Sequence, residues 1–123
     1  MSKYDTLNNL VTWWTGNGKP AQLKEALFTS DVAFDSGLET LSQDDIAWTA
    51  QNALPWLDVN ILCTVIDGKH GAVFFEGVDG VSQLRHRVAW LVLFHDDKVC
   101  RVVSTVAILP SRLDAKEPLR GES

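Results

Sequence analysis

Residues 87–109 read "RVAWLVLFHDDKVCRVVSTVAIL". Two apolar, β-branched arms flank the polar "HDDK", and each arm is long enough for a strand of about ten residues. The pattern predicts a long β-hairpin. Carrying the first arm back to Leu84 gives "LRHRVAWLVLF" over residues 84–94. At the strand period of two, His86, Val88, Trp90, Val92 and Phe94 share one face, and Arg85, Arg87, Ala89, Leu91 and Leu93 share the other. Neither face is clean, and alternation alone leaves open which one looks into the protein.

Working outward, "DG" at residues 79–80 and "DGK" at 67–69 are turn signals between apolar runs at 59–66, 71–78 and 83–95, with 99–109 as the last strand and Pro110 as its stop. Upstream the period changes. Leu7, Leu10, Val11 and Trp14 mark one helical face over residues 5–15, and Trp13 widens it. "GNGK" breaks that helix. Pro20 suits the start of a second, short helix with Leu23, Ala26 and Leu27 on its apolar face. A short strand at 31–36 alternates Val32, Phe34 and Ser36 against Ala33 and Asp35. Ser42 and Asp45 resemble a capping box for a third helix that carries Ile46, Ala50, Leu54 and Leu57 and that Pro55 ends or kinks. The order α-α-β-α-β-β-β-β predicts an α+β architecture, a curved antiparallel sheet wrapped around N-terminal helices, with a concave mouth for a ligand. One domain over residues 1–110 is expected, with 111–123 as a flexible polar tail.

Composition excludes several classes. The chain has 123 residues, 46% of them hydrophobic and 22% charged, with a net charge of −5. The acidic surplus lies in the first half, and no Lys/Arg stripe appears, so neither nucleic acid nor an anionic membrane is an expected partner. The longest uncharged run, 46–57, is too short to span a bilayer, and the N-terminus lacks a secretory pattern. A cytoplasmic location follows as the expectation. Cys63 and Cys100 sit in strand-like runs with no metal-ligand spacing and read as buried free thiols, so no metal and no cofactor are expected.

The stretches "AQLKEALFTSDVAFDSG" (residues 21–37), "AVFFEGVDG" (72–80) and the 87–109 hairpin together resemble the nuclear transport factor 2-like superfamily, which includes SnoaL-like proteins and ketosteroid isomerases. The resemblance implies a cone-shaped α+β fold and a homodimer through the outer sheet face. Against the ketosteroid isomerase pattern, Ser36 falls at the position of the base carboxylate with Asp35 one residue away. Trp90 falls at the second acid, and the phenol falls near Thr12 or Trp13. The triad is missing, so steroid isomerisation is not implied. The pocket face that carries over is Ser36, His86, Val88, Trp90, Val102 and Ser104.

His86 is the sharpest candidate for catalysis, because imidazole titrates near neutrality. Its bland alternative is a packed or rim histidine. Glu76 faces the pocket if Phe74 does, and would then orient His86 or act as base; the alternative is an ion pair with Arg85 or Arg87. Asp35 turns inward only through a bulge, and otherwise caps a turn. Trp13, Trp14, Phe34, Phe74 and Trp90 are candidate ligand walls, Trp90 first. Three functions are consistent with this inventory. The first is an isomerase, lyase or cyclase working by acid–base chemistry on a small hydrophobic substrate. The second is non-catalytic binding of an apolar or aromatic small molecule, and the third is a dimeric interaction module.

Overall fold

The computed structural model describes residues 2–17, 23–52 and 54–110. The expected tail and Pro20 lie outside them. The first helix, α1 (Lys3–Trp14), starts at a capping box. The Asp5 amide donates to Ser2 Oγ at 3.1 Å and the Ser2 amide to Asp5 Oδ2 at 3.4 Å. Its buried stripe is Thr6, Leu7, Leu10, Val11 and Trp13, which leaves Trp14 half-buried at one side. The short helix α2 (Leu23–Leu27) leads directly into β1 (Phe28–Asp35), which is longer than expected. A two-residue strand absent from the sequence reading, β2 (Thr40–Leu41), pairs with β1. Helix α3 (Gln43–Asn52) carries the expected capping box, with Asp45 N to Ser42 Oγ at 3.2 Å and Ser42 N to Asp45 Oδ2 at 3.1 Å. It ends before Leu54 and Leu57, which are both exposed rather than part of its apolar face.

The four remaining strands, β3 (Leu57–Asp67), β4 (His70–Val78), β5 (Arg85–His95) and β6 (Lys98–Ile108), form the expected antiparallel meander. The whole sheet has six strands in the order β2-β1-β6-β5-β4-β3. It is mixed rather than purely antiparallel, because β1 runs parallel to β6. Register shifts in β1/β6, β3/β4 and β5/β6 insert bulges, and bulges bend a sheet. The sheet curls around the helices without closing.

The concave face is read directly from cross-strand rows. Val73, Trp90 and Ser104 lie side by side, as do Phe75 and Val88, and Val92, Val102 and Phe34. Trp90 is the hub. It is 0% exposed, and its Nε1–H donates to Ser104 Oγ at 3.1 Å. Its ring meets Phe75 edge-on at 4.8 Å, Phe34 at 5.7 Å and Trp14 at 6.1 Å. Each such aromatic pair contributes about 0.5–1.5 kcal/mol beyond burial. Trp13 packs on Phe28 at 5.7 Å.

The convex face carries Ala72, Phe74 and Glu76 on β4, and Ala89, Leu91 and Leu93 on β5. Phe74 is 44% exposed, so the expectation that Phe74 and Glu76 share the pocket face is overturned: Phe75, one residue on, fills the interior. Cys63 is exposed on β3 and Cys100 is partly exposed, so the thiols are not the buried pair expected.

One consequence of the hub is measurable. Ser104→Ala leaves the Trp90 indole N–H buried without an acceptor, a loss of about 1–3 kcal/mol. Urea denaturation is expected to show a lowered midpoint with an unchanged slope.

Candidate functional site

The cone interior is packed, and a hollow with aromatic walls lies at the helix ends and the β4–β5 turn. A cleft of about 290 Å³ lies between α3, the end of α1, the segment before β3, and the β4–β5 turn. Helix α3 contributes Trp48, Thr49 and Asn52, and α1 contributes Trp14. The connecting segment brings Leu54 and Trp56, and the turn brings Asp79 and Val81.

Local sequence explains each wall. The buried Thr15, just past α1, donates through Oγ1 to Val11 O at 2.8 Å, while its own carbonyl accepts the Trp56 amide at 2.8 Å. Asn17 Nδ2 donates to Trp56 O at 3.2 Å. The helix end therefore pins the Trp56 backbone on both sides. The Trp56 ring lies across Gly77 on β4, where a Cβ would come within 3.2 Å of it. Gly80 permits a closer approach still: a Cβ there would meet Leu54 O at 2.5 Å and Pro55 O at 2.7 Å. The β4–β5 turn is thus seated on the Leu54–Pro55 backbone.

Asp79 organises that turn. Its Oδ1 accepts the amides of Val81 at 2.7 Å and Ser82 at 3.0 Å. Its Oδ2 lies 3.9 Å from His86 Nδ1, beyond hydrogen-bond length. The other imidazole nitrogen, Nε2, is 3.3 Å from Ser82 Oγ. The His86 ring stands edge-on to Trp56 at 5.5 Å. His86 thus lies on the concave side, as the resemblance implied, but at the rim, beside Asp79 and Ser82.

The other expected site residues are dispersed. Glu76 faces outward and joins Arg87 Nε at 3.1 Å and Arg85 at 3.8 Å, the ion-pair alternative. Asp35 shares the convex side with Val103 and accepts the Gly37 amide at 2.9 Å, which caps a turn. Ser36 belongs to the same turn: it donates to Glu39 O at 3.0 Å and accepts the amides of Leu38 and Glu39. Neither bears on the concave face. Trp13, Phe34, Val88, Trp90 and Val102 are all buried core, and Ser104 is committed to Trp90. Of the expected ligand walls only Trp14 lines the cleft, where it stacks on Phe34 at 4.8 Å and 18°.

Trp48, Trp56 and Asp79 were not among the expected site residues. The "DG" at 79–80 read only as a turn, and Trp56, 8% exposed, belongs to the core as well as to the cleft wall. A tryptophan directly after a proline, at the end of an amphipathic helix, was the available signal. Among the described residues, no group of three or more His, Cys, Asp or Glu could hold a metal ion, and no helix is long and apolar enough to cross a membrane.

The sequence matches no protein-family model and no curated protein. Solved structures do match. A candidate ketosteroid isomerase from Kribbella flavida aligns with a TM-score of 0.67 at 16% identity, over 89% of this chain and 80% of its own. A hypothetical protein with a ketosteroid isomerase-like fold from Catenulispora acidiphila, solved in complex with trimethylamine, gives 0.63 at 15% identity, over 82% and 84%. A nuclear transport factor 2-like protein of unknown function from Cytophaga hutchinsonii gives 0.64 at 6% identity, over 93% and 96%. At these identities the likeness is one of architecture, which hosts unrelated activities. The open, curled six-stranded sheet and its three helices make this chain a cone-shaped α+β protein with the fold of the nuclear transport factor 2-like superfamily.

Proposed function

We propose that this protein binds a small, largely apolar molecule in the cleft at the mouth of the cone. The observation that carries the reading is the lining: three indoles, Leu54 and Val81 around about 290 Å³, with Asn52, Thr49 and Asp79 as the polar positions. Small-molecule sites combine apolar walls with a few placed polar groups, and this volume is at the small end of their range. Trp48 is 67% exposed, an unusual placement for a large apolar ring unless something covers it. The neighbour solved with trimethylamine supports a small ligand for this fold. The neutral apolar fluorophore phenylnaphthylamine tests the cleft. Saturable enhancement at one site per chain is expected, with affinity roughly tenfold lower in Trp48→Ala, whose exposed ring the fold does not need. Absence of saturable binding would remove the reading.

A second reading is catalytic, and one observation favours it. His86 is held between a carboxylate and a hydroxyl at the edge of the cleft. An imidazole placed so would move a proton to or from a bound carbonyl compound, the step shared by isomerases and lyases. Exchange of the α-protons of a small ketone in heavy water, followed by NMR, is expected to accelerate with the protein and to return to the background rate in His86→Gln. Equal rates with both proteins would leave the binding function alone.

We also propose a homodimer through the convex face. Cross-strand pairing puts Val65, Ala72, Leu91 and Val103 in one row, and Cys63, Phe74 and Ala89 in the next. Leu91 is 61% exposed and Val65 54%. A contiguous apolar patch spanning four strands suits a two-fold contact with its own copy. Sedimentation velocity is expected to give a dimer for the wild type and a monomer for Leu91→Arg.

A further inference from the structure

We infer that the ligand of this cleft is an organic cation, a tertiary or quaternary ammonium, rather than a neutral apolar molecule. The inference rests on the proposed binding role of the cleft and assigns the chemical class that occupies it.

Two independent features point there. The first is the wall chemistry. Trp14, Trp48 and Trp56 come from three separate elements and converge on one small hollow. Indole is the best of the side chains at attracting a cation, through the negative potential over its ring, and alkylated ammonium groups suit aromatic enclosures because they carry charge yet shed little hydration. The second is charge. The single ionisable residue among those lining the cleft is an acid, Asp79, and no lysine or arginine is among them. One carboxylate oxygen is taken up by the turn, while Oδ2 keeps a separation of 3.9 Å from its nearest ring nitrogen. The adjoining hollow, which shares Trp48 and Thr49 with the cleft, adds Glu39 and Asp45. Trp48 therefore stands between two carboxylate-bearing hollows. A neutral ligand would be indifferent to that field, and an anion would be repelled by it.

The carboxylate and the indoles divide the work. Asp79 supplies a charge that ordinary apolar burial does not need, and the rings supply contact area for the alkyl groups. Choline and its carbon isostere, in which a tert-butyl group replaces the trimethylammonium, differ in charge at nearly constant shape. Quenching of intrinsic tryptophan fluorescence and calorimetry report both ligands on the full chain. Choline is expected to bind roughly tenfold or more tightly than the isostere. Asp79→Asn keeps an oxygen for the Val81 and Ser82 amides but removes the charge. It is expected to cut choline affinity by roughly tenfold and to leave the isostere unchanged. Equal affinity for the two ligands, or a choline affinity insensitive to Asp79→Asn, would overturn the inference while the apolar-binding reading stands. Binding of neither ligand, together with failure of the neutral fluorophore to bind, would bring down both.

Discussion

The molecule depends on the way Trp90 closes the inside of the cone. A single indole, wholly buried and hydrogen-bonded to the neighbouring strand through Ser104, is wedged among Phe75, Phe34 and Trp14. Removing a buried ring of this size from a core costs about 3–5 kcal/mol, a large part of the 5–15 kcal/mol that holds a domain folded. Trp90 is thus a structural residue, committed to the core. The space along the cone's axis is taken up by aromatic packing, and the aromatic-walled cleft lies at the mouth.

The mouth itself is firmly built. The end of α1 holds the Trp56 backbone through Thr15 and Asn17, and Gly77 and Gly80 let the ring and the turn approach as closely as backbone allows. The same contacts that join helix to sheet set the spacing between Trp56, Asp79 and Trp14. Stability and site geometry are therefore coupled on three sides of the cleft. Trp48 is the exception, an exposed ring on α3 that core packing does not constrain.

Much of this was legible in the sequence, for definite reasons. The two long apolar arms around a polar turn marked the 87–109 hairpin, the inward facing of Val88 and Trp90 came with the resemblance because neither face of the strand is cleanly apolar, and the Ser42–Asp45 capping box was visible as a spacing. "VFFEG" was not decidable by alternation, because two adjacent phenylalanines make both parities apolar. Glycines set the parity: Gly71, Val73, Phe75 and Gly77 share the crowded concave side, and at both glycine positions a Cβ would press on side chains from other elements. That put Glu76 outside with the arginines. The cleft at the mouth was harder to read because it is made where helices and strands end. Helix α3 stops at Asn52, and the apolar residues that followed at helical spacing instead entered an extended segment. A turn aspartate reads the same whether or not its second oxygen faces a cleft.

The position of β3 at the end of the sheet has a consequence of its own. Among the described residues its outer rim pairs with no other strand, and the strand runs for eleven residues without a lysine, arginine or proline. Ile61, Leu62 and Val65 are exposed along it. Natural sheets usually guard such a border with charge or a break. Here the guard is an aspartate at each end, Asp58 and Asp67, and the shifts of register near Asn60 and Cys63, with the apolar stretch between them left bare. Chains that meet along this border while partly opened would template one another through the unpaired amides and carbonyls.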